Sequence, residues 1–190
     1  MTSSYSARRR PVSIWALAIV GGLAAWSAQA QAQAQAGSAR VDAAASGLTV
    51  GAAGAAGAGA LVTGEALAGL SRVPLAVSYE TDQGGRQATF EGPLLWDVLA
   101  LTGAVDPAHP HGQAQDVVTM EGRDGYVAVL ALGEIAPGFE GKQVILADRM
   151  DGKTLPPGHW RIVVPGDRRG GRGVRDVARI TVGPLPGGGR

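Results

Sequence analysis

The sequence contains no cysteine in 190 residues, and this absence excludes several kinds of site. Without a thiol the chain forms no disulfide, and it cannot hold a metal through a thiolate. It also offers no cysteine to which a lipid anchor could be attached. A domain of about 150 residues can fold without such cross-links, because a chain of that size buries most of the surface that it exposes when unfolded.

Aromatic residues and net charge are also scarce. Phe, Trp and Tyr make up 5% of the chain, and its formal net charge is +1. The first 36 residues contain three Arg and no acid, so the remainder has 14 Lys and Arg against 16 Asp and Glu, a net charge of −2. Such a chain offers neither the basic surface nor the base-stacking aromatics of a nucleic-acid-binding protein. We therefore expect no nucleic-acid partner.

Residues 1–36 have the pattern of a signal peptide. Arg8 to Arg10 form a basic segment, Ile14 to Trp26 form a short apolar segment, and Ala28-Gln29-Ala30 is a small-x-small cleavage site. The apolar segment is shorter than a membrane-spanning helix requires. We expect a periplasmic or secreted protein with no membrane span after cleavage. An uncleaved anchor is the alternative, and the sequence leaves the general and twin-arginine export routes open.

The composition divides the remaining chain into a leader and one folded domain. Residues 37–60 are rich in Ala and Gly, and we interpret them as a flexible leader because small side chains dominate them. We expect the folded domain at residues 61–190. No internal repeat is visible, so one domain is the simplest interpretation.

Short apolar runs bounded by Gly, Asp and Pro predict strands in this domain. The predicted strands are 61–64, 73–79, 86–90, 117–120, 126–130, 144–147, 160–164 and 178–182. Turns are expected at 82–85, which would make a hairpin, and at Asp151-Gly152. Apolar residues at helical spacing from Leu94 to Leu101 predict one helix that Gly92-Pro93 opens. Several short strands with one clear helix predict a mixed, strand-dominated α+β domain.

Five segments follow one another between Thr89 and Val182. They are TFEGPLLWDVLALTG (89–103), EGRDGYVAVLALGEI (121–135), GKQVILADRMDGKTLP (141–156), WRIVVPGD (160–167) and RGVRDVARITV (172–182). This series resembles the molybdopterin-binding domain of the sulfite oxidase family. The resemblance implies a fold of that type and the activity of a molybdopterin-dependent oxidoreductase.

The resemblance also implies a thiolate ligand that this chain lacks. In the sulfite oxidase family one cysteine, after the strand that precedes the Gly-led helix, ties the molybdenum to the protein. Ser78 is the nearest polar residue to that place in this chain, and a neutral hydroxyl does not replace a soft thiolate at equal affinity. We expect no cofactor, with molybdopterin as the open alternative.

Residues near the C-terminus correspond to those that surround the pterin in the family. Arg161 matches the Arg of its Pro-Leu-Arg-Leu-Val-Val-Pro-Gly segment, and Gly173-Val174-Arg175 matches a Ser-Val-Lys segment that lies against the pterin phosphate. His159 is near a position at which members of the family often have His or Gly. Gly173 lacks the Ser hydroxyl, and Asp176 places an acid where the family has Trp. By resemblance, the candidate cofactor-binding residues are Arg161, Arg175, His159, Gly173 and Val174.

An Arg- and Gly-rich segment, residues 167–175, is the strongest local binding signal. Its four Arg supply planar donors, and its Gly residues let backbone N–H groups turn toward an anion. A phosphate, an acidic partner or an anionic lipid would suit it, and a solvated surface loop is the alternative. His109-Pro110-His111 is an incomplete metal site, so we expect no metal.

These patterns favour a binding function over catalysis. No motif of a catalytic nucleophile is present. We expect a non-catalytic periplasmic binding or accessory protein whose partner is a small anionic ligand or a periplasmic protein. A molybdopterin-dependent oxidoreductase with atypical cofactor ligation is the alternative.

Overall fold

Strands dominate the computed structural model of the protein, which describes residues 47–53, 59–81, 84–108 and 115–184. Among these residues there are eleven strands, three α-helices and one 3-10 turn. The predicted strand-dominated architecture is confirmed. The predicted signal peptide and the His109-Pro110-His111 segment lie outside the described residues.

The largest sheet has five strands. They are β1 (Leu48–Ala52), β2 (Ala60–Val62), β5 (Asp116–Gly122), β6 (Val127–Ala131) and β11 (Val177–Pro184). Their order across the sheet is β2-β1-β11-β5-β6. β1 runs parallel to β11, and the other neighbours are antiparallel. Alternate residues such as Val118 and Met120 of β5 face the core, as the two-residue period of a strand requires.

Two smaller sheets complete the strand structure. One is a four-stranded sheet in the order β3 (Arg72–Thr81), β4 (Gly84–Pro93), β8 (Arg149–Met150) and β9 (Lys153–Thr154). The other pairs β7 (Ile145–Ala147) with β10 (Arg161–Val163). The predicted hairpin is confirmed, because β3 and β4 pair over their whole lengths. The predicted turn at Asp151-Gly152 joins β8 to β9, and both of its residues have positive φ (51° and 75°).

The helices are short and lie between strands. They are α1 (Gly64–Ala68), α2 (Leu95–Leu101) and α3 (Leu132–Ile135), with a 3-10 turn at Gly170–Arg172. No helix in the described ranges is long and apolar enough to cross a membrane. The predicted helix is α2, but it begins at Leu95. Pro93 instead ends β4, where it is paired with Arg72, so it does not occupy the first helical turn.

Strand β1 corrects the predicted leader. Leu48 and Val50 are fully buried, and β1 pairs with both β2 and β11. The interpretation of residues 37–60 as a flexible leader is therefore wrong for residues 48–52, and the fold starts well before Leu61. Two apolar residues spaced two apart were enough to place one face of this strand in the core.

The described residues contain a large hydrophobic core and a small one. The large core lies against the five-stranded sheet and includes Trp96 and most of α2. The small core lies under the β3–β4 hairpin and consists of Phe90, Ile145, Ala147 and Val163. The expected burial of Phe90 and Trp96 is confirmed, since both are less than 10% exposed. The small core forms the base of the candidate site.

Candidate functional site

A cleft lies between the β3–β4 hairpin and the segment that follows β10. Its lining includes Val77 and Tyr79 of β3, Phe90 of β4, Arg161 of β10, and Asp167, Gly170 and Gly173. We call this feature the Arg161 cleft. It brings together residues from distant parts of the sequence, because the hairpin and β10 pack on the same small core.

The alternation of β3 decides which of its side chains reach the cleft. Val77 and Tyr79 are half-buried, whereas Ala76, Ser78 and Glu80 are exposed on the opposite face. Ser78 lines a separate shallow groove, together with Gln87 and other residues. Ser78, the polar residue nearest to the place of the cysteine that the resemblance implies, therefore points away from the Arg161 cleft.

Arg161 carries the positive charge of the cleft. Its guanidinium carbon lies 5.0 Å from the centre of the Phe90 ring, within the range of a cation–π interaction. Phe90 is only 1% exposed, so one side of the guanidinium is shielded from water. Among the described residues, no Asp or Glu forms a salt bridge with Arg161. Its charge is therefore available to a ligand at the mouth of the cleft.

The carboxylate in the cleft, Asp167, is already neutralised. Arg172 donates to it from Nε and Nη2, at 3.0 and 2.5 Å. Arg172 also donates to Glu134 Oε2 at 2.9 Å, and Lys142 donates to the same oxygen at 3.0 Å. We call Asp167, Arg172, Glu134 and Lys142 the ion-pair cluster. It fastens the segment after β10 to α3, and it commits one of the four arginines of that segment to a structural role.

The pKa values of the cluster follow from these contacts. Partial burial alone would raise the pKa of Glu134, but hydrogen bonds from Lys142 and Arg172 outweigh it and hold that pKa below its ordinary value. The hydrogen bond with Asp167 raises the pKa of Arg172 further above its already high value. The hydrogen bond with Glu134 likewise raises the pKa of Lys142. All of these shifts favour the charged forms.

The structure brings together two of the five residues that the resemblance implied. Arg161 and Gly173 both line the cleft. Val174 is fully buried, and its carbonyl accepts a hydrogen bond from the Ile162 N–H at 2.8 Å. Arg175 is exposed and does not line the cleft. Their roles toward a cofactor stay predictions.

His159 is engaged elsewhere on the surface. Its Nδ1 lies 2.7 Å from Asp176 Oδ1, and both side chains are about half exposed. Asp176 has a positive φ of 49°, so its backbone occupies a conformation that is unusual for a residue other than glycine. His159 does not line the Arg161 cleft.

Gly173 fits closely between neighbouring backbones. A Cβ at this position would lie 3.3 Å from the carbonyl oxygens of both Gly170 and Ile162. Its N–H donates to the Gly170 carbonyl at 3.0 Å. The absence of a side chain thus lets this segment lie directly against β10, which closes one wall of the cleft.

Reasoning from the sequence missed Val77 and Tyr79 as members of the site. The signal for both was present, because strand alternation places Val77 and Tyr79 on the face opposite Ser78. Asp167 was included in the Arg- and Gly-rich segment, but no local pattern predicted its ion pair with Arg172, which also pairs with Glu134, 38 positions away.

The comparison with protein families decides the family. The family model described as the oxidoreductase molybdopterin binding domain matches residues 75–186. The chain belongs to this family. No curated protein matches the chain.

Membership of the family implies molybdopterin, and the described residues can be tested for their fit to it. The chain has no cysteine, and Ser78 points away from the cleft. No three His, Asp or Glu side chains in the described ranges are grouped as a metal site. The residues do not fit a thiolate-held molybdenum cofactor in this cleft.

Proposed function

We propose that this member of the molybdopterin-binding family is an exported, non-catalytic binding protein with a fold of the sulfite oxidase type. Its ligand would be a small anion at the Arg161 cleft, or an anionic group of a periplasmic partner. The observation that carries the proposal is the unmatched charge of Arg161 among the described residues, beside an Asp167 that Arg172 already neutralises.

The surroundings of Arg161 favour an anion over other ligands. A guanidinium presents planar donors that match the oxygens of a carboxylate, sulfate or phosphate. Shielding by Phe90 lowers the local dielectric and strengthens a charge-assisted hydrogen bond. A hydrogen bond to one charged group contributes about 1.5–3 kcal/mol. We therefore expect a dissociation constant on the order of 10 mM for a simple oxyanion.

Titration with sulfate, phosphate and acetate, followed by NMR, tests the proposal. Arg161→Gln should weaken binding about tenfold or more, because it removes the only charge that the proposal uses. Arg179→Gln is a matched control, since Arg179 is an exposed arginine on β11 that does not line the cleft. Equal losses in the two variants would show non-specific charge screening, and the proposal would then be wrong.

The family match also supports a second candidate, a molybdopterin-dependent oxidoreductase with atypical ligation. The two candidates differ in what the native protein carries. Elemental analysis and pterin fluorescence of protein purified from its own host should show neither molybdenum nor pterin in stoichiometric amounts. Stoichiometric molybdenum would overturn the binding-protein proposal, and fractionation of the same cells would test export.

A further inference from the structure

One long edge of β3 is largely unpaired in the described structure. β3 pairs with β4 along one side. On its other side the Glu80 N–H donates to the Arg168 carbonyl at 2.9 Å, and Glu80 forms a parallel bridge with Arg169. The described residues form no further backbone pairing along this edge, from Pro74 to Ser78.

The direction of each backbone group along this edge follows from strand geometry. In an antiparallel pair, the N–H and C=O groups of alternate residues point toward the partner strand and away from it. Because the Glu80 N–H points away from β4, those of Ala76 and Ser78 point the same way. Pro74 lies two residues before Ala76, so its backbone nitrogen points the same way. Proline has no N–H and therefore suits an edge position. The two observations agree that Ala76 and Ser78 present backbone donors and acceptors at the edge that have no partner among the described residues.

Two arginines lie at one end of this edge. Arg168 and Arg169 are exposed beside Glu80, and no acidic side chain of the described residues forms a salt bridge with either. Val77 and Tyr79 point from the same strand into the Arg161 cleft. A strand added at this edge would direct every second side chain toward that face of the sheet. An acidic side chain at such a position would lie on the side of Arg161.

We propose that the free edge of β3 receives an extended, acidic segment of a partner protein as an added strand. Its backbone would pair with Ala76 and Ser78, and one carboxylate would bind at the Arg161 cleft. This mode of recognition uses main-chain hydrogen bonds for affinity and alternate side chains for specificity. The carboxylate contact depends on the proposed function, because it makes a protein-borne acid the anion of the cleft, whereas the backbone pairing does not.

Fluorescence anisotropy with synthetic peptides tests the backbone pairing on the unmodified protein. The probe is a peptide of about seven residues in which Glu alternates with Val, and its Lys counterpart is the charge control. N-methylation of one alternate set of residues should weaken binding about tenfold or more, and methylation of the other set should not. Equal effects of both methylations, or equal binding of the Lys peptide, would overturn the proposal.

A pair of variants tests the same edge from the protein side. Ser78→Pro removes one N–H that points away from β4, as the backbone nitrogen of Pro74 does. The β3–β4 pairing is therefore kept. Ser78→Ala keeps the N–H and changes only an exposed side chain. We expect Ser78→Pro, but not Ser78→Ala, to weaken the acidic peptide about tenfold. Unchanged peptide binding by a folded Ser78→Pro protein would contradict the added strand.

Titration of the same variants with sulfate separates this proposal from the proposed function. Ser78→Pro should bind sulfate as the wild type does, whereas Arg161→Gln should not. Sulfate binding without peptide binding would refute the added strand and leave the anion site intact. Peptide binding that is lost in Ser78→Pro and unchanged in Arg161→Gln would support the added strand and refute the carboxylate contact at the cleft.

Discussion

The ion-pair cluster and the surroundings of Arg161 in β10 differ in how their charges are matched. In the cluster Arg172 binds two carboxylates, and a lysine shares one of them. By contrast, Arg161 rests on the Phe90 ring, with no acidic partner among the described residues. The two arginines are 11 positions apart (172 − 161) and have the same chemistry. The first holds the segment in place, and we propose that the second binds a ligand.

This difference shows why a run of arginines is a weak guide to function. A paired guanidinium already uses its donors in contacts within the fold, and displacing its partners would expose partly buried carboxylates. An unpaired guanidinium over an aromatic ring is stabilised without losing its outward donors. The comparison predicts that the ion-pair cluster controls stability and that the Arg161 cleft controls binding.

The largest expected effect comes from the close packing that supports the cleft. Gly92 of β4 lies so near β7 that a Cβ would come within 2.2 Å of the Leu146 carbonyl oxygen and 2.7 Å of the Ala147 Cα. Backbone atoms cannot move aside as side chains do, so Gly92→Ala should lower the free energy of unfolding by about 3 kcal/mol or more. Denaturant unfolding measures this loss.

Gly85→Ala is the control for the same strand. An added Cβ there meets no atom within 4 Å, and Gly85 has no positive φ. We expect a change within about 0.5 kcal/mol. A loss in Gly92→Ala no larger than that in Gly85→Ala would contradict the close contact between β4 and β7 that supports the base of the cleft.

The ion-pair cluster gives the next largest effect. Glu134→Gln removes the charge that Arg172 and Lys142 share, and the Glu134 side chain is only 23% exposed. The free energy of unfolding should fall by about 1–2 kcal/mol, while the affinity for sulfate should not change. Glu140→Gln is the control, because Glu140 also pairs with Lys142 but is 54% exposed, and should cost at most about 0.5 kcal/mol. A large loss of sulfate affinity in Glu134→Gln would contradict the expectation that the ion-pair cluster controls stability and the Arg161 cleft controls binding.

The strands of the fold could be predicted from the sequence because their signals are local. Apolar runs between turn residues marked the β3–β4 hairpin, and Asp151-Gly152 marked a tight turn. Strand β1 could not be recognised, because Gly and Ala surround its two buried residues and its parallel partner β11 lies at the other end of the chain. Thr49, for example, is opposite Arg179. Such pairing depends on contacts that no local pattern reports.

The candidate site was predictable only in part, for the same physical reason. The resemblance pointed to Arg161 and Gly173, which do share the cleft. It did not separate them from Arg175 and His159, because the direction of a side chain depends on strand register and on partners far away in sequence. Asp176, which follows Arg175 and which the resemblance marked only as a departure from the family, is the partner of His159.

The pH dependence of stability offers a smaller effect that sharpens the comparison. The folded-state pKa of Glu134 lies below its ordinary value of 4.5. Its contribution is therefore complete above pH 4.5 and is lost as the pH falls through the lower, folded-state pKa. The difference in unfolding free energy between the wild type and Glu134→Gln should shrink as the pH falls below 4.5. A difference that stays constant from neutral to acidic pH would show that the charge of Glu134 does not carry its effect.

The smallest expected effect concerns His159. Its partner Asp176 and its own side chain are both about half exposed, so the hydrogen bond between them contributes little. His159→Asn should change the unfolding free energy by less than about 0.5 kcal/mol. It should also leave sulfate affinity unchanged, because the ring does not line the Arg161 cleft. Parallel titrations of His159→Asn and Arg161→Gln check this expectation. A loss in both would place His159 in the binding site and would favour the arrangement that the resemblance implied over the one that the cleft shows.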